Sequence, residues 1–195
     1  MERPAERADA ARNRQHLLAT AREMLVEFGP DRITMDALAG RSGLGKGTVF
    51  RRFATRAGIF QALLDDDEHA FQQRVLSGPP PLGPGAPPVE RLIAYGQARV
   101  QFLVAHHGIA RAALDGRQSH PSGPQTPMSQ VHIRMLLGRI DLGPLDLDVL
   151  AVQLTGALDG PLLLYLSTTE LDHPGDDVER KLADSWRDLV LRVCR

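Results

Sequence analysis

Between Thr34 and Phe53 the chain reads TMDALAGRSGLGKGTVFRRF. Lys46, Thr48, Arg51 and Arg52 fall together on its second half, with Gly45 and Gly47 beside them. Lysine and arginine donate to phosphate oxygens, and arginine and threonine also reach the edges of bases. Glycines let a helix N-terminus bring its free N–H groups close to an anion. The chemistry on offer is recognition of a polyanion, not bond cleavage. No catalytic set assembles elsewhere: the sequence has no G-x-S-x-G, phosphate loop, H-E-x-x-H or cysteine pair. Catalytic residues and a cofactor are therefore not expected. The seven histidines are scattered, His106 and His107 face different sides of a helix, and Cys194 is the single cysteine, so no metal site is assigned.

The elements that must position these groups are legible around them. Thr34 can cap a short helix, with Asp36 in its first turn placed against the helix dipole. Gly43 supplies a left-handed turn, Ala39 the small residue where two helices touch, and Leu38, Leu44, Val49 and Phe53 the apolar pegs beneath. A second short helix then runs to about Phe53, leaving Lys46, Thr48, Phe50, Arg51 and Arg52 on or near its exposed side. Such a helix suits insertion into the major groove of DNA. Upstream, Leu17, Ala21, Leu25 and Phe28 form one helical stripe that Gly29 and Pro30 end. Downstream, Thr55 caps a helix reaching about Val75.

The whole chain has 195 residues and a net charge of −1, with 43% apolar and 24% charged residues, an ordinary globular composition. The charge is unevenly spread. Residues 1–60 hold eleven basic and seven acidic residues, a net of +4, and the remainder carries −5. A basic head on an acidic body points to a polyanionic partner for the head alone. Helical periodicity prevails throughout, predicting an all-α fold of about nine helices. Six prolines and three glycines between Ser77 and Pro88 mark a loop, and Gly116–Gln125 a second. Between the loops a helix is expected over 89–107 and a shorter one over 109–115; further helices fit 127–140, 145–167 and 174–193. The apolar run from Pro161 to Leu166 is too short to span a bilayer, and the charged start has no signal-peptide core, so a cytoplasmic protein is expected.

The run HLLATAREMLVEFGPDRITMDALAGRSGLGKGTVFRRFATRAGIFQALL resembles the DNA-binding domain of the tetracycline-repressor (TetR) family and the start of its fourth helix. The resemblance covers about a quarter of the chain and rests on the core from Gly43 to Phe53, GLGKGTVFRRF, with Phe50 as its aromatic. It implies a three-helix helix-turn-helix domain over 1–56 and a helical effector-binding and dimerisation domain over 57–195. It also implies a homodimeric repressor that reads a palindromic double-stranded operator and leaves it when a small molecule binds. By position, Thr34 would meet phosphate, Lys46 and Thr48 would contact backbone or bases, and Arg56 stands where the family has a phosphate-contacting Lys. Three departures stand out. Phe50 replaces the usual phosphate-binding Tyr, a loss that Arg51 (where the family often has His) or Arg52 can offset. Gly45 replaces a Ser cap, and Gly58 is expected to weaken the fourth helix by about 1 kcal/mol relative to Ala.

Beyond residue 57 the signals are weaker. Tyr95, Arg99, Phe102 and His106 recur at i, i+4, i+7 and i+11, a line of mixed apolar and polar groups suited either to a small-molecule pocket or to a core with a charged rim. His132, Met135, Leu136 and Arg139 form a similar line. Asp159 lies in an apolar helix beside Pro161 and is either a satisfied structural group or a ligand contact. Val178, Leu182, Trp186, Leu189 and Val193 share one face of the last helix, which either closes the monomer's core or, with the helix before it, builds a homodimer interface. Two other readings remain: a DNA-binding regulator controlled by a protein partner without a small-molecule effector, and a helical enzyme.

Overall fold

The structure, a computed structural model, describes residues 4–114, 128–167 and 176–195. Among these residues the secondary structure is entirely helical: α1 (Pro4–Phe28), α2 (Met35–Ser42), α3 (Lys46–Phe53), α4 (Arg56–Ser77), α5 (Pro88–Leu114), α6 (Met128–Leu137), α7 (Leu147–Ser167) and α8 (Asp176–Val193), with a 3-10 turn at Pro30–Arg32. The expected all-α class is what is observed. Two compact units carry separate cores, residues 4–67 with 108–114 and residues 68–107 with 128–167 and 176–195. No helix among the described residues is long and apolar enough to cross a membrane. The proline-rich stretch links α4 to α5 as anticipated, and the loop expected over 116–125 lies outside the described residues.

In the first unit the local signals act as their chemistry dictates. The Thr34 hydroxyl accepts the Ala37 N–H at 3.1 Å and starts α2. Gly43 ends it with φ 70° and ψ 7°, the left-handed conformation a side chain would strain. Leu17, Leu18, Ala21, Leu38, Val49, Ile59, Phe60 and Leu63 are fully buried beneath the turn. Phe28 departs from the expected stripe: the helix buries Met24 instead and leaves Phe28 exposed, with the Arg41 guanidinium 5.5 Å above its ring.

Two further departures have tertiary causes. The periodicity predicts two helices over 89–115, but α5 runs unbroken through Gly108, because Ile109, Ala112 and Ala113 beyond it pack on the first unit's core. Burial of those side chains outweighs the ~1 kcal/mol that one helical glycine costs. Gly58 is the second. Ala54 sits at φ 59° and lets Thr55 N–H donate to the Phe53 carbonyl at 2.6 Å, folding α3 tightly back onto α4. A Cβ at position 58 would then lie 2.0 Å from that carbonyl oxygen. Gly58 is thus required by the turn, and Ala would cost stability instead of adding it.

The second unit is centred on Phe71 and Val75 of α4, Leu92, Tyr95 and Val100 of α5, Ile133, Leu136 and Leu137 of α6, Ala151, Leu154 and Leu158 of α7, and Trp186 and Val190 of α8. The Trp186 indole donates to the Leu92 carbonyl at 3.0 Å and lies against Gly96. The apolar face of α8 therefore closes its own unit's core. Val149 and Val152 of α7 are left about half exposed. α7 continues through Pro161.

Candidate functional site

The geometry of α3 separates two faces of one eight-residue helix. Val49 and Phe53 point into the core, and Lys46, Gly47, Phe50, Arg51 and Arg52 point to solvent, with Thr48 half-buried between them. Gly45 stands at the N-cap with no side-chain hydrogen bond, so the first-turn N–H groups are left without a side-chain cap. A Cβ at Gly45 or Gly47 would meet nothing within 4 Å, which shows that packing within the chain does not demand either glycine. Lys46 Nζ pairs with Asp36 Oδ1 at 2.9 Å, both side chains being about two-thirds exposed. An exposed pair of this kind is worth at most about 1 kcal/mol, so Lys46 can exchange it for a stronger anion. Arg51 Nη2 donates to Thr48 Oγ1 at 3.3 Å, which lines up cation and hydroxyl on the outward face.

Thr34 keeps its hydroxyl proton for an outside acceptor, since only its oxygen is used by the cap. Two of the expected contact residues also have structural work. Arg52 Nη2 donates to the Ala10 carbonyl at 2.7 Å and ties α3 to α1, beside a cleft of about 520 Å³ lined by Asp9, Asn13, Thr48 and Arg51. Arg56 donates from Nε to the Ile33 carbonyl at 2.9 Å and from Nη2 to the Pro30 carbonyl at 2.8 Å, with its guanidinium 4.9 Å over the Phe60 ring. Arg56 thereby clamps the 3-10 turn against α4.

The second unit gathers most of the other singled-out residues. Arg99 Nη1 meets Glu68 Oε2 at 2.5 Å, its Nε lies 3.9 Å from Asp159 Oδ1, and its guanidinium stands 5.8 and 5.2 Å from the rings of Phe71 and Phe102. His106 stacks on Phe102 with centroids 4.2 Å apart. Tyr95 is buried and donates to Ser129 Oγ at 2.7 Å, with the His132 ring 4.7 Å away. Met135 and Arg139 are both exposed and not packed among them, although the charge of Arg139 still acts on Arg91. The sequence reading missed Glu68, Phe71 and Ser129, which reach the cluster from α4 and α6. It also missed Arg91, which extends the line of Tyr95 and Arg99 one turn upstream.

Burial sets the protonation of this cluster. It pushes the Asp159 carboxyl up, against the pull of Arg99, and raises Tyr95 as well. His132 is pushed down to about 4, first by burial and then by the charge of Arg91. Below its ordinary pKa of ~6.5 the unfolded chain protonates this imidazole and the folded one does not, so stability falls as pH drops from there toward 4. Between pH 7 and 5 the wild type should lose about 2 kcal/mol more than a His132→Phe variant, which keeps a ring against Tyr95. Denaturant melts at the two pH values check this; equal losses would place the imidazole in contact with water.

Comparison with known proteins follows the same division. Residues 17–63 match the family model described as bacterial regulatory proteins, tetR family. The DNA-binding transcriptional repressor TetR of Mycobacteroides abscessus is 36% identical over 59 residues, 30% of this chain and 31% of that protein. The chain thus aligns with less than a third of that relative's length. A putative TetR-family transcriptional regulator from Mesorhizobium loti shares the fold with a TM-score of 0.62 at 18% identity, covering 94% of this chain and 97% of its own. AibR, solved in complex with isovaleryl coenzyme A and operator DNA, gives 0.56 at 16% identity, covering 91% and 97%. Residues 17–63 thus carry the N-terminal domain described for bacterial regulatory proteins of the tetR family, and the described residues share the all-helical fold of these solved structures.

Proposed function

We propose that this protein is a DNA-binding transcriptional regulator, a homodimeric repressor whose second unit takes a small-molecule effector that releases the operator. The observation that carries the reading is the outward face of α3, where Lys46, Thr48, Phe50 and Arg51 stand over the buried Val49 and Phe53. One such helix per protomer, each in a major groove about 34–36 Å apart, calls for a palindromic operator. The α7 side with half-exposed Val149 and Val152 offers apolar surface for the second copy. The effector reading is supported by the Arg99–Glu68–Asp159 cluster under Tyr95 and Phe102, and by the ligand that AibR holds on the same fold. In one unbroken α4, Glu68 and Phe71 at this cluster are joined to Ile59 and Phe60 of the DNA-reading unit, a covalent route for the signal.

Selection of duplexes from a random library, followed by fluorescence anisotropy across a salt series, tests the function. Enrichment of a two-fold symmetric sequence, with affinity falling steeply as salt rises, is expected. No enrichment, or affinity indifferent to salt, would sink it. Phe50 is 49% exposed and lacks a hydroxyl for phosphate, but its ring suits the C5-methyl of a thymine. Replacing the critical thymine of each half-site by deoxyuridine should weaken wild-type binding by about tenfold and leave a Phe50→Ala variant unaffected.

A further inference from the structure

Among the described residues, four buried side-chain atoms have no hydrogen-bond partner: Arg91 Nε, Arg99 Nε, His132 Nε2 and Asp159 Oδ1. All four lie in the second unit, on α5, α6 and α7. Buried polar groups are ordinarily satisfied, so their concentration in one place marks a missing partner. Arg99 and Asp159 partly answer each other across 3.9 Å, and Arg99 holds Glu68 as well.

Arg91 has no such answer. It is 6% exposed, forms no salt bridge among the described residues, and donates from Nη2 to the Val75 carbonyl at a long 3.4 Å. Capping the end of α4 explains that contact but leaves the charge without a counter-ion among the described residues. His132, 3% exposed, is uncharged at neutral pH, and Arg139 adds charge of the same sign. Both carboxylates nearby belong to the Arg99 end of the line.

We propose that the second unit binds an organic carboxylate, its charge met by Arg91 and His132 Nε2 and its apolar body lying along Tyr95, Phe71 and Phe102. A guanidinium edge presents paired N–H donors that match a carboxylate, and Tyr95 against the His132 ring, with Phe71 packed on Tyr95 and Phe102 on Phe71, offers aromatic faces for an apolar or aromatic body. The assignment rests on the effector reading given above.

Matched triads on one body test the class: phenylacetate, phenylacetamide and phenethylamine, then hexanoate, hexanamide and hexylamine. Thermal shift and calorimetry on the full chain should show both acids binding at least tenfold tighter than their amides, with no shift from the amines. Arg91→Met should lose the response to acid and, without ligand, melt about 2–4 °C above the wild type, because an uncompensated buried charge is gone. Arg91→Lys should keep a weakened response. An amide or amine that binds as well as its acid, failure of every probe to bind, or a lower unliganded melting point for Arg91→Met would each overturn the proposal. Operator affinity separates the two readings. An acid that binds and leaves operator affinity unchanged removes the effector role and keeps the carboxylate site. A non-acid that releases operator, with no acid bound, does the reverse.

Discussion

A Lys46→Ala/Arg51→Ala variant is expected to melt within about 2 °C of the wild type and to bind operator DNA about a hundredfold more weakly at physiological salt. The first half of that expectation follows from exposure. Neither side chain enters the core, and the contacts they lose within the chain are a surface ion pair with Asp36 and a 3.3 Å hydrogen bond to Thr48. The second half follows from where the charges stand. Both lie on the outward face of α3, where in the proposed complex phosphate or base edges would be the partners within reach, and the proposed homodimer would lose each contact twice. A single good base or phosphate contact is worth ~1–3 kcal/mol, so a hundredfold, about 2.7 kcal/mol, asks for no more than a modest share from each. The salt dependence should flatten as well, since each phosphate contact removed takes about one unit from the slope. Anisotropy on the selected operator between 50 and 200 mM salt (about the range over which such slopes are read) reads both quantities. A double variant that binds like the wild type would mean that α3 is not the reading helix. Asp36→Asn supplies the opposite arm: it frees Lys46 and removes an anion from the contact face, so operator binding should tighten.

What can be read from the sequence and what cannot divides by the range of the forces involved. The turn at Gly43, the Thr34 cap and the pegs Leu38, Val49 and Phe53 are fixed by residues within about twenty positions of each other, and each stands where local chemistry puts it. The outward face of α3 follows from the same short-range geometry. Ala54 at positive φ carries no local signal, because only the return of α4 onto the Phe53 carbonyl holds it there. Gly58 reads as a weak helix residue for the same reason, and its role shows only beside that carbonyl. In the second unit the line Tyr95, Arg99, Phe102 and His106 is legible as a helical stripe, but its partners Glu68, Phe71 and Ser129 come from other helices at no fixed spacing. Met135 and Arg139 match the periodicity of a line through His132 and still turn outward. Periodicity says which residues share a face and not what that face meets.

Gly96 brings the same lesson to its largest consequence in the core. In an exposed helix Gly→Ala stabilises by roughly 0.5–1 kcal/mol, since alanine loses less backbone freedom on folding. At position 96 the sign should reverse. A Cβ there would lie 2.0 Å from Trp186 Nε1 and 2.1 Å from its Cε2, well inside van der Waals contact. The indole cannot yield cheaply: it is 3% exposed, rigid, and anchored by its N–H to the Leu92 carbonyl. Displacing it combines an overpacking cost of ~1–3 kcal/mol with ~1–3 kcal/mol for a buried hydrogen bond broken with its partner left behind. Gly96→Ala should therefore lose about 3–5 kcal/mol and melt about 10 °C lower. Trp186 is the chain's single tryptophan, so its emission reports the same event directly and should shift to the red as the ring leaves the core. Adding Trp186→Phe, a smaller ring with no N–H, should return part of the lost stability to the double variant, because the clash and the orphaned donor go together. A Gly96→Ala variant with unchanged melting and emission would show that α5 and α8 do not pack at this distance.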